Sequence, residues 1–281
     1  MKGIRKIFAV LLALVCCIPG RSGIRGDVEY LSSPMLEGRG SCSRGGSEAA
    51  FFIIRRMRAL GLEPTVQSFA LSGGLGHNIA AVLRGNPGSD KYILICAKYD
   101  GLGIINGQIY PGADANASGA AVMLWLAEKL AGNGGNYVFL ALDGHTDGFA
   151  GAEAAQKLPY KYSLVVNLDT IGSTLAPPNK YRPDFLIALG GKPFEKGMEA
   201  ANIETRLRLY YDYYRSKAFT EYFYAKASDH VPFLRKGIDC VMFTSGITMN
   251  TNKVSDTAET LDFDILERRA ELILRWLGSL L

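Results

Sequence analysis

The feature that most constrains this chain is a series of short, almost unbroken apolar runs. They are Tyr92–Ala97 (YILICA), Tyr137–Leu142 (YVFLAL), Leu164–Leu168 (LVVNL) and Cys240–Phe243 (CVMF). Each is too short for a helix of its own, and none alternates polar with apolar residues. Such runs suit strands buried on both faces of a sheet. Helical spacing lies between and around them. Ala50, Ile53, Ile54, Met57 and Leu60 share one side of Gly46–Leu60, which leaves Arg55, Arg56 and Arg58 for solvent. Ala117–Leu130, Gly148–Leu158 and Val231–Arg235 read as further helices, with Asn116 and Ser118 as capping candidates for the first. Leu261–Leu281 carries Leu261, Ile265, Leu266, Ala270, Leu272, Ile273 and Trp276 on one side. Two more strands are expected at Thr65–Ala70 and Asn78–Leu83. Strands alternating with helices imply an α/β fold with a mainly parallel sheet covered on both faces. No Pro- or Ser-rich linker, repeat or low-complexity run divides the chain, so one domain over residues 24–281 is expected.

The first 23 residues read differently. Lys2, Arg5 and Lys6 precede the apolar run Ile7–Ile18, and Pro19, Gly20 and Gly23 break it. This charged, apolar, small-residue order is that of an export signal, and the run is short for a bilayer span. The expected location is the periplasm or cell envelope. Cys16 and Cys17 close the run, which leaves a lipoprotein signal as an alternative, although Val15 is a poor match to the small residue expected before a lipidated cysteine. Without Lys2, Arg5 and Lys6 the formal charge falls from +4 to +1, which gives no electrostatic case for nucleic acid. Cys42, Cys96 and Cys240 remain, an odd number that argues against a disulfide framework.

Polar clusters follow the apolar runs in order: Lys98-Tyr99-Asp100-Gly101, then Gly112-Ala113-Asp114-Ala115-Asn116, Asp143-Gly144-His145-Thr146-Asp147, Asn167-Leu168-Asp169-Thr170 and Ser228-Asp229-His230. Carboxylates repeated at strand ends are the layout of a metal-dependent hydrolase. With Leu36-Glu37-Gly38-Arg39-Gly40, Gly148-Phe149-Ala150-Gly151, the run from Ser228 to Ile238 and Ser255-Asp256-Thr257, the chain resembles family twenty-eight of the metallopeptidases. These are co-catalytic di-zinc aminopeptidases and their glutaminyl-cyclase relatives. The resemblance implies a three-layer α/β/α sandwich with a mixed, mostly parallel sheet.

The same resemblance places the family's site residues, and most are absent. Lys98 stands where the family has its first zinc-ligand histidine, with Asp100 two residues on. Ala115 stands at the bridging aspartate. His145 falls on the general-base glutamate and Thr146 on the ligand glutamate that follows it. Asn252 takes the place of the last histidine. Asp169 alone is a retained ligand. An ammonium has no lone pair for a metal and a methyl group cannot bridge two ions. No bound metal is therefore expected. The leading expectation is an exported aminopeptidase-family protein without catalysis that binds a peptide or small molecule. One alternative is an exopeptidase using Asp100, Asp114, His145 and Asp169 as unusual metal donors. Another is an interaction protein with a filled pocket. Lys98 is expected to pair with Asp169 in place of the metal. Ser228, Asp229 and His230 spell a catalytic triad, but neighbours on one segment do not converge as triads do, so they read as scaffold beside the cleft. The aromatic stretch Leu209–Tyr224 reads either as a recognition surface or as a β-rich wall on the core.

Overall fold

An eight-stranded mixed sheet forms the centre of the computed structural model, which describes residues 23–281. Residues 1–22 of the expected signal, all but its last residue, lie outside the described residues. The chain opens with helices α1 (Ile24–Leu31) and α2 (Arg44–Ala59), then the hairpin β1 (Thr65–Leu71) and β2 (Gly74–Arg84). β3 (Lys91–Lys98), a small hairpin of β4 (Gly103–Ile105) and β5 (Gln108–Tyr110), and helix α3 (Ser118–Lys129) follow. Next come β6 (Asn136–Leu142), α4 (Ala150–Ala155), β7 (Lys161–Leu168), β8 (Phe185–Leu189), α5 (Glu195–Thr205) and β9 (Arg208–Tyr210). Helices α6 (Lys217–Lys226) and α7 (Val231–Leu234), strand β10 (Cys240–Thr244) and helix α8 (Phe263–Gly278) complete it. The sheet order is β1-β2-β6-β3-β7-β10-β8-β9.

The apolar runs are the central strands, and their composition follows from what covers them. Ile93, Ile95 and Ala97 of β3 pack on one side with α1, α2, α3 and α8. Leu94 and Cys96 face the other side, with Val138, Leu140, Ala152 and Phe233. A strand covered on both faces has no solvent side to make polar. The architecture is thus the three-layer α/β/α arrangement. Helix α3 is buried along almost its whole length, which explains why it is apolar all round. Cys96 and Cys240 are buried free thiols and Cys42 is an exposed one.

β6, β3, β7 and β10 are mutually parallel neighbours. Their carboxyl ends therefore open on one edge of the sheet, and Lys98, Asp143, Asp169 and Ser245 gather there. Arg39, fully buried, ties the loops above this edge. Its guanidinium donates to the carbonyls of Tyr99 (2.9 Å), Pro111 (2.7 Å) and Gly112 (2.8 Å), and to that of Leu31. Its planar fork matches several carbonyls at once.

The second half of the chain departs from expectation. The all-apolar strand β8 and helices α5 and α6 carry no clear periodic signal. The aromatic stretch is a short edge strand, a turn and helix α6 rather than a β-rich wall. Tyr213 stacks on Phe223 with centroids 4.2 Å apart and packs against Phe185 and Met242. Tyr222 and Phe219 remain exposed.

Candidate functional site

Asn116 fixes the floor of the site. Its side-chain amide donates to the carbonyls of Lys98 (3.1 Å) and Leu168 (2.8 Å), at the ends of β3 and β7. Its carbonyl oxygen accepts from the backbone of Thr170 (2.9 Å) and Gly119 (3.3 Å), so it also serves the first turn of α3. Gly119 makes that approach feasible, since a Cβ there would lie 2.3 Å from the Leu168 carbonyl oxygen. Ser118, the other capping candidate, lies inside the helix and donates to the Asp114 carbonyl at 2.8 Å.

Lys98 ends β3 with only 7% of its surface exposed. Its ammonium has no carboxylate within 4.0 Å among the described residues. The expected direct pair with Asp169 is therefore not formed. Asp169 takes hydroxyl donors instead: Ser228 at 2.6 Å on one oxygen and Thr170 at 3.0 Å on the other. Thr170 is the next residue and Ser228 follows α6, and both hydroxyls reach the carboxylate at hydrogen-bond distance. Lys98 still acts through space. Burial opposes ionisation of Asp169, but the Lys98 charge is the foremost of several influences that hold its carboxyl below the usual range.

Asp100 is buried. It accepts from the His145 backbone (3.1 Å) and the Ser41 hydroxyl (3.3 Å) on one oxygen, and its other oxygen has no partner. Burial raises its pKa to about 6 against the pull of Lys98 and His145. Asp143 accepts from Ser41 (2.6 Å) and from the backbone of Gly144 (2.8 Å) and His77 (2.9 Å). His145 follows on a single turn and is partly exposed. Its Nδ1 lies 2.7 Å from the buried carboxylate of Asp229. Burial works against the imidazolium, but Asp229, with help from Asp169, outweighs it and leaves the His145 pKa raised.

Asp114 has other partners. It accepts from the Gly172 backbone at 2.6 Å. Burial and the neighbouring Asp256 push its pKa up to about 7. Asp256 in turn accepts from the backbones of Asp114 (2.8 Å) and Ala115 (3.1 Å). Ala115 is buried at this turn, while Thr146 and Asn252 are exposed.

Ser228 and His230 share the Asn167 amide, at 2.7 Å from the Ser228 hydroxyl and 3.4 Å from His230 Nδ1, and each residue of Ser228-Asp229-His230 also has a partner of its own. Ser228 serves Asp169, Asp229 serves His145, and His230 places its Nε2 2.6 Å from the Tyr224 carbonyl. His230 is fully buried, and burial lowers its pKa. The segment holds no triad. Of the two cavities described, one lies elsewhere and one adjoins the site at Asp143. One of about 440 Å³ borders β9, with Lys192, Glu199, Arg208 and Tyr211 among its lining residues. The other, of about 230 Å³, adjoins Cys42, His77, Tyr99 and Asp143.

Residues 78–277 match the profile of peptidase family M28. The chain belongs to that family. Curated proteins yield no match, whereas solved structures yield many. A zinc aminopeptidase from Bacillus subtilis superposes with a TM-score of 0.74 at 14% identity, over 92% of this chain and 94% of that one. LapB from Legionella pneumophila gives 0.74 at 18% identity, over 92% and 71%. The Porphyromonas gingivalis glutaminyl cyclase gives 0.69 at 18% identity, over 92% and 98%. At these identities the superpositions establish the shared fold.

The donor set of this M28 chain does not fit zinc. Lys98 and Ala115, at two positions the resemblance assigns to ligands, offer no lone pair, and the side chains at two others, Thr146 and Asn252, are exposed. Both oxygens of Asp169 already accept hydroxyl bonds. Among the described residues, no three His, Cys, Asp or Glu side chains are arranged to hold a metal ion. The unusual-donor set is not assembled either, because Asp114 belongs to the Asp256 cluster rather than to that of Asp100, His145 and Asp169. Arg39 and Ser41 are the site residues that sequence reasoning passed over, although the Gly38-Arg39-Gly40 motif marks their place.

Proposed function

We propose that this protein is an exported, non-hydrolytic member of the M28 family, whose cleft at the strand ends recognises a peptide or small molecule without zinc. The observation that carries the reading is chemical. An ammonium at Lys98 and a methyl at Ala115 stand where metal donors are required, and neither ligates. Without a metal there is no lowered water pKa and no Lewis acid to polarise a scissile carbonyl. A cavity of about 230 Å³ adjoins Tyr99 and Asp143 of the site, which supports recognition over a filled pocket.

Elemental analysis of gently purified protein, paired with amino-acyl reporter substrates, tests the first half. The expected result is substoichiometric zinc and no turnover above blank. About two zinc ions per chain with chelator-sensitive cleavage refutes it. Mass spectrometry of protein from a bacterial envelope fraction tests export, with the mature end expected near residues 17–26 from the charged, apolar, breaker order of the sequence. An intact Met1 in the cytosolic fraction refutes that part.

A further inference from the structure

The hydrogen bonds at the strand ends are unevenly filled. Asp169 accepts on both oxygens, and Asp143 accepts three bonds. Asp100 and Asp229 each accept on one oxygen. Their other oxygens lack a partner but are enclosed by protein, so a ligand arriving from solvent does not meet them. Lys98 is the reverse case. It is more than nine-tenths buried, carries three N–H donors, and no acceptor takes any of them among the described residues. Lys98 lies opposite Leu142 of β6, and the Cys96–Asn167 register continued by two residues brings it level with Asp169 at the end of β7; its charge also acts on Asp100, His145 and Asp256. Its nitrogen is not among the enclosed atoms that lack a partner, so, unlike the free oxygens of Asp100 and Asp229, it is met from solvent.

We infer that the Lys98 ammonium is a recognition donor for an uncharged carbonyl oxygen of the ligand, the amide group of a peptide-like molecule. This rests on the ligand-binding reading above and specifies its chemistry. The charges favour a neutral acceptor over an anion. Lys98 is offset by Asp169, His145 by Asp229, and Asp100 adds negative charge. A carboxylate brought to the same place would face those acids at close range. An amide oxygen takes the hydrogen bond without that repulsion. The role differs from that of a metal, because the ammonium offers directional N–H bonds and activates no water.

The test uses the full chain and N-acetyl amino-acid amides carrying a ¹³C-labelled acetyl carbonyl. Calorimetry on the unmodified protein is expected to show saturable binding, with the labelled carbonyl band moved to lower wavenumber. Lys98→Met is expected to weaken binding about ten- to a hundredfold, the range for a hydrogen bond to a charged donor, and to abolish the band shift. On the unmodified protein, a thioacetyl analogue, a poorer acceptor, is expected to bind more weakly. Equal binding of the two analogues overturns the inference without calling on any variant. So does undiminished binding by Lys98→Met, or tighter binding of the free N-acetyl amino-acid carboxylates. In each of these cases the ligand-binding reading stands. No saturable binding by any of the probes removes both.

Discussion

Replacing Lys98 with methionine keeps most of the side-chain volume and removes one buried charge. The structure bounds the effect. No carboxylate lies within 4.0 Å, so the attraction to any one acid is below about 4 kcal/mol at an effective dielectric near 20. The variant also escapes the cost of burying an ammonium, which offsets part of the loss. The expected net destabilisation at pH 7 is about 1–3 kcal/mol, or roughly 2–10 °C in Tm for a domain of this size. The sign with pH follows from Asp169. Its folded-state pKa is depressed, so its contribution is present above the unfolded value and is lost as pH falls through the folded one. Lys98 is foremost in that depression, so the gap between the two proteins should be full at pH 7 and narrow below about pH 4. Thermal unfolding at pH 7, 5 and 3.5 measures it. Equal melting at pH 7, or a gap that widens in acid, would refute the assignment of Lys98 as the internal counter-charge.

Asp229→Asn removes the carboxylate that outweighs burial at His145. The imidazole should then titrate below its ordinary value instead of above it, as followed by the ring proton resonances across pH 4–9; an unmoved titration would contradict the pairing. Asp114→Asn keeps an acceptor for the Gly172 backbone and removes a carboxyl whose pKa is raised to about 7. A raised acid costs stability as pH climbs from its unfolded value through its folded one, so the variant should melt higher at pH 8 and near wild type at pH 4.

The sheet core is legible because burial on both faces leaves an unmistakable composition. The runs at Tyr92–Ala97, Tyr137–Leu142 and Leu164–Leu168 fall within β3, β6 and β7, and Cys240–Phe243 lies within β10. β8 is as apolar as these, but it lacks the polar cluster that flags the others, because it runs antiparallel to β10 and points its carboxyl end away. The aromatic stretch misleads for a different reason. Its aromatics pack a turn and a helix against β8, and composition alone does not distinguish that from a strand. At the site, residue identity shows which donors are missing. It does not show that Asp169 draws on Ser228 and Thr170, since that choice depends on how segments far apart in sequence meet. The His145–Asp229 contact has the same origin, joining residues from two loops that only the folded sheet brings together.

The tripeptide Ser228-Asp229-His230 reaches three segments: Ser228 serves Asp169 and shares Asn167 of β7 with His230, Asp229 holds His145, and His230 also meets the Tyr224 carbonyl. One short length of backbone therefore sets the positions of the β7 end, the His145 loop and the last turn of α6 in concert. A pocket braced in this way does not depend on an ion to hold its walls apart.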